Sequence, residues 1–99
     1  MYRHGDVIIG GPVPLPEGAK RKGDNIVVAG EVTGHAHRLA GGTIFLGGSD
    51  IYLATGNEAA LTHEDHERIA LPTTKPGQGL LVTIQREYDD ESEWRKVTD

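Results

Sequence analysis

Apolar and polar residues alternate along this chain in short runs, broken repeatedly by glycine and proline. The recurring period is two, that of half-buried strands. Asp6-Val7-Ile8-Ile9 is rich in β-branched residues and stops at Gly10-Gly11-Pro12, which predicts a first strand. Pro12, Pro14 and Pro16 argue against regular pairing, so Pro12 to Gly23 reads as an exposed loop with a basic end at Lys20-Arg21-Lys22. Ile26 to Ala29 predicts a second strand, and Glu31 to Leu39, alternating at period two, a third. Gly41-Gly42 marks a turn, Thr43 to Leu46 a short strand, Gly47 to Asp50 another turn, and Ile51 to Ala54 the strand that completes a hairpin.

Beyond this hairpin, Asn57 to Leu61 reads as a short extended piece. Thr62 has the chemistry of a helix N-cap, with Asp65 three residues later approximating a capping box, so one helical turn is expected there at most. Arg68 to Leu71 is strand-like, Pro76 to Gly79 turns, and Leu80 to Tyr88 is the longest predicted strand, with Leu80, Val82 and Ile84 on one face. Asp89 to Glu93 reads as a solvated turn, and Trp94 to Val97 as a last short strand or a tail. The whole predicts an all-β fold, a small sandwich or barrel of about eight short strands. Residues 1–99 are read as a single domain, with 89–99 loosely packed or forming a short strand.

Composition sharpens this picture. A hydrophobic fraction of 36% with one Trp, three Tyr and one Phe gives a thin, aliphatic core, and a homo-oligomer is expected to help it. With no cysteine, disulfides, thiolate zinc sites and cysteine nucleophiles are excluded. A formal charge of −5 argues against a nucleic-acid partner or an anionic membrane surface. No run approaches the roughly 18 apolar residues that span a bilayer, and the N-terminus lacks an apolar leader core, so no membrane partner and a cytoplasmic location are expected.

The most informative residues are four of the five histidines, which fall in two tight pairs. On a strand, His35 and His37 point to one face with Ala36 turned away. On a helical turn, His63 and His66, three apart, share one side with carboxylates beside them. Together they supply enough imidazole nitrogens for a divalent transition metal, zinc first and nickel, copper or iron after it. Glu31 and Glu64 are the candidate acid–base residues, available as a ligand, an orienter of a ring N–H or a base on bound water, and Arg38 is a candidate anion holder. His4 reads as a surface histidine, reaching the site only where the N-terminus runs beside the third strand. Asp6 reads as a strand-edge charge or turn acceptor, and Trp94 as a packing or subunit-contact residue.

Two other function classes compete with a metal-binding domain. His35, His37, Arg38 and His66 could act without metal as an acid–base ribonuclease or phosphodiesterase, although the acidic net charge does little to attract RNA. Alternatively, the β edges could carry the function as a non-catalytic self-assembling module. Nucleotide and serine hydrolysis lack their glycine-rich and G-x-S-x-G motifs.

Four blocks carry a resemblance: Arg3 to Val7 (RHGDV), Gly30 to Arg38 (GEVTGHAHR), Leu61 to His66 (LTHEDH) and Gln85 to Tyr88 (QREY). They resemble a family of small uncharacterised bacterial and phage proteins, over nearly the whole chain. The resemblance implies one compact domain whose blocks contribute to one site; it brings no activity. This chain departs from the pattern at Pro72 to Gly79, where the family's turn looks shorter, and at Asp65, where glutamate is commoner. H-x-H beside glycine also resembles cupins, whose remaining ligand spacing is absent here.

Overall fold

Period-two sequence becomes paired strand almost throughout, and glycine ends fewer of the strands than its spacing suggests. The computed structural model describes residues 2–30 and 34–85, and the backbone alone of 87, 88, 94 and 95. Those residues form β1 (Tyr2–His4), β2 (Val7–Pro14), β3 (Lys20–Arg21), β4 (Ile26–Ala29), β5 (Ala36–Gly47), β6 (Asp50–His63), β7 (His66–Ala70), β8 (Gln78–Ile84), β9 (Glu87–Tyr88) and β10 (Trp94–Arg95). All pairings are antiparallel, and no helix occurs among the described residues. The fold is all-β, as its periodicity predicts.

The difference lies in strand length. β5 has 12 residues and β6 has 14, where shorter strands separated by turns were expected. Gly41 does not end β5; with φ at +78° it lets the strand bend and continue. The β5–β6 register runs Ala40↔Ala60 and then Gly42↔Thr55, so residues 56–59 stand opposite Gly41 alone. Such a bulge bends and twists a ladder without ending it. Next to it, a Cβ on Gly42 would lie 2.5 Å from the Ala54 carbonyl oxygen, which leaves no room for a side chain.

The bent β5–β6 hairpin is the spine of the sheet. Toward its tip β3 pairs with β5, while β8 pairs with β6 and is followed by β2 and β1. At its other end β4 pairs with β5 and β7 pairs with β6. The bend brings two edge strands, β1 and β7, side by side. They are bridged where His4 Nε2 donates to the carbonyl of Glu67 at 2.8 Å. A seam therefore closes the curled sheet.

Inside lie Val7, Ile9, Leu39, Ile44, Leu53, Leu61 and Leu80, all nearly or wholly inaccessible. Burying each such side chain contributes about 1.5–3 kcal/mol. Leu80 and Val82 are buried as their alternation predicts, but β8 stops at Ile84, short of the predicted Tyr88. Glu87–Tyr88 pairs instead with Trp94–Arg95, the fold-back expected near the C-terminus. The acidic turn at Asp89 to Glu93 and the role of the Trp94 side chain lie outside the described residues.

Two local expectations are corrected. β2 runs through Pro12 and Pro14, which pair with Leu80 and Gln78. β1 covers only Val7 to Ile9, so beyond a register shift the prolines lie on an open edge, where a missing N–H costs no ladder bond. Thr62, expected to cap a helical turn, is a strand residue opposite Arg38. His63 and His66 pair across a two-residue hairpin turn, Glu64-Asp65.

Candidate metal centre

All five histidines of the chain meet at the seam. His4 ends β1, His37 is the second residue of β5, His63 ends β6 and His66 begins β7. His35 stands one residue before β5. His63 is the hub, its ring centroid 4.4 Å from that of His37, 4.5 Å from His66, 5.8 Å from His35 and 6.3 Å from His4. Thus the two pairs converge, although the second does so across a β-turn and not on a helix.

His4 is the residue that its sequence context hides. Expected at the surface, it is 3% exposed, with its ring 5.0 Å from that of His37 and 5.5 Å from that of His66. The N-terminal strand runs beside β7, an approach that requires sheet pairing to be known. The signal available was the His4-Gly5-Asp6-Val7 turn itself. Gly5 has φ +65° at the first central position of a two-residue hairpin loop, where L side chains are strained. A Cβ there would also fall 2.6 Å from His66 Nε2, so glycine makes room for the imidazole.

The hydrogen bonds order the protons on these rings. The Glu67 carbonyl can only accept, so His4 carries its proton on Nε2, and in the neutral ring Nδ1 is an acceptor. That Nδ1 lies 3.0 Å from His37 Nδ1, which must then donate. In that tautomer the His37 lone pair is on Nε2 and meets Asp6 Oδ1 3.4 Å away as one acceptor meets another, a contact that a cation or a proton on Nε2 makes favourable. A histidine whose far N–H is held by a second group is oriented as metal-ligating histidines are. His63 is arranged differently: its Nδ1 accepts the Asp65 backbone N–H at 2.9 Å, the role an Asx side chain plays in a turn. Ligation through its Nε2 therefore displaces one backbone hydrogen bond, a cost of about 1 kcal/mol.

Among the described residues, two groups of three have ligand atoms mutually within 4.8 Å and could hold a metal ion: His37, His63 and His66, and His35, His63 and Glu64. The first is the more buried, with His37 wholly inaccessible and His63 8% exposed. The second lies at the rim, where the side chains of His35 and Glu64 are 34% and 39% exposed. Each rim group is already engaged. His35 Nδ1 sits 2.6 Å from Asp65 Oδ2, while Glu64 accepts the Ala36 amide at 3.0 Å and Arg38 Nη1 at 2.9 Å. The Ala36 amide first, and then the Arg38 guanidinium, pull the Glu64 carboxyl down to about 2. A carboxylate held so firmly as an anion is a weak base near neutral pH. Arg38 faces Glu64 in this pair and also reaches the Ala36 carbonyl at 3.4 Å. Glu31 lies outside the described residues.

The Arg3–Val7 block and most of the two central blocks are thus brought together at one seam. A family model for a domain of unknown function, DUF8820, matches residues 3–75. The chain belongs to the DUF8820 family. That span includes all five histidines and the turns that carry them, so the cluster is contained within the DUF8820 match. No curated protein and no solved structure matches the chain. Among the described residues, no helix is long and apolar enough to cross a membrane.

Proposed function

We propose that this DUF8820 domain binds one divalent transition-metal ion, zinc in preference to nickel, copper or iron, through His37, His63 and His66. The observation that carries this reading is the convergence of three imidazole nitrogens within 4.8 Å of one another at the seam, on two buried histidines and one half-buried one. An all-imidazole set suits zinc and its neighbours in the first transition series. Three protein ligands leave a coordination position for water or a small ligand, as catalytic zinc sites do and closed structural sites do not. His4 and the Glu67 carbonyl act behind His37, fixing its tautomer and ring plane. Glu64 and Arg38 clamp the His63–His66 turn against the start of β5.

Elemental analysis of protein purified without a histidine tag, before and after zinc loading and desalting, tests the proposal. The expected result is one equivalent of metal per chain, lost on His37→Ala or His66→Ala. Absence of bound metal after loading would overturn it. So would RNA cleavage that survives chelation and disappears on His37→Ala, which assigns the cluster to metal-free acid–base chemistry.

A further inference from the structure

Resting on that reading, we infer that the rim group His35, His63 and Glu64 is the capture site of the metal centre, from which an ion passes to His37, His63 and His66. Both groups contain His63, and a neutral imidazole has one lone pair, so His63 serves one ion at a time. The groups are therefore alternative positions for the same ion. Their burial sets a direction: Glu64 is exposed and His35 half-buried, as His66 is, whereas His37 lies fully inside. An arriving hydrated cation meets the rim first.

The rim also suits arrival in its charge. Glu64, Asp65 and Glu67 fall within four residues at the His63–His66 turn, against Arg38, which pairs with Glu64, and Arg68, next in sequence to Glu67, on a chain of net charge −5. Negative charge of this kind concentrates cations and raises association rates by roughly 10–10³-fold. Glu64 remains able to ligate while bonded to Ala36 and Arg38, because an ionised carboxylate offers about four lone pairs. His63 then works as a pivot: the ion exchanges His35 and Glu64 for His37 and His66 without leaving the protein.

Stopped-flow mixing of the apo full-length protein with cobalt(II) alone, followed by its visible absorption, tests this, with dialysis giving stoichiometry. A group used only in transit changes entry and exit equally. His35→Ala and His35→Gln, which leave the rim's charge and the Glu64–Arg38 clamp in place, should each lower the association and dissociation rates together, severalfold and by the same factor, while affinity stays unchanged and one cobalt binds per chain. Circular dichroism identifies a variant that has not folded, and the other variant then decides. Unchanged association rates would overturn the inference, as would two ions bound per chain, or an affinity loss that makes His35 a resident ligand. Failure of the wild-type protein to bind cobalt would instead overturn the metal reading itself.

Discussion

At the scale of single residues, two side chains that are not proposed ligands govern the site. His4 bonds His37 and the Glu67 carbonyl, so His4→Gln should keep the fold while weakening zinc binding about 10–100-fold, the usual cost of losing a group that orients a ligand. Competition with a zinc dye measures this; unchanged affinity would show that His37 is oriented without it. Gly5→Ala should be worse than its one methyl suggests. It forces a left-handed conformation, costing about 1–2 kcal/mol, and drives a Cβ toward His66, so both the urea midpoint and metal affinity should fall. Glu64 makes a pH-dependent prediction. Its folded-state value lies below its ordinary one, so the stabilisation is present above the ordinary glutamate range and is lost as pH falls toward 2. Wild type should exceed Glu64→Gln in urea midpoint near neutral pH, and the difference should close in acid; a constant difference would assign the effect to packing.

At the scale of elements, alternation made the strands legible, because a half-buried sheet imposes period two on its sequence. What it did not reveal was where strands continue. Gly41-Gly42 carries a turn signature, yet here a positive φ and a close backbone approach serve a bend within one long hairpin. Gly42→Val should therefore be strongly destabilising, although its position is exposed, and thermal unfolding would show it. The turn after His63 was misread for the opposite reason. Glu64-Asp65 contains neither glycine nor asparagine, and it is held because His63 Nδ1 accepts the Asp65 N–H and the Glu64 carboxylate accepts from the Ala36 amide and Arg38, bonds that no local pattern announces. The pairing of like residues was legible in both histidine pairs. His4 was not, since a lone histidine on a short first strand acquires its neighbours only through pairings distant in sequence.

At the scale of the whole molecule, the proposed ion would join β5, β6 and β7, with β1 held behind it through His4. Binding to the folded state alone stabilises by about 2.7 kcal/mol when free ligand is 100 times its Kd, which for a chain of this size raises the Tm by roughly 10 °C or more. Calorimetry with zinc and then with excess chelator should show that rise and its reversal. The closed seam has a further meaning for how this protein behaves in a crowded solution. Among the described residues β1 and β7 each pair on one side only, so their other backbone edges are the kind that recruit strands from neighbouring molecules. Here those edges are turned toward each other and fastened by an imidazole–carbonyl bond instead of a ladder. Histidines that gather an ion would thereby also shield the chain from its own copies, and loosening them would turn a binding defect into a colloidal one.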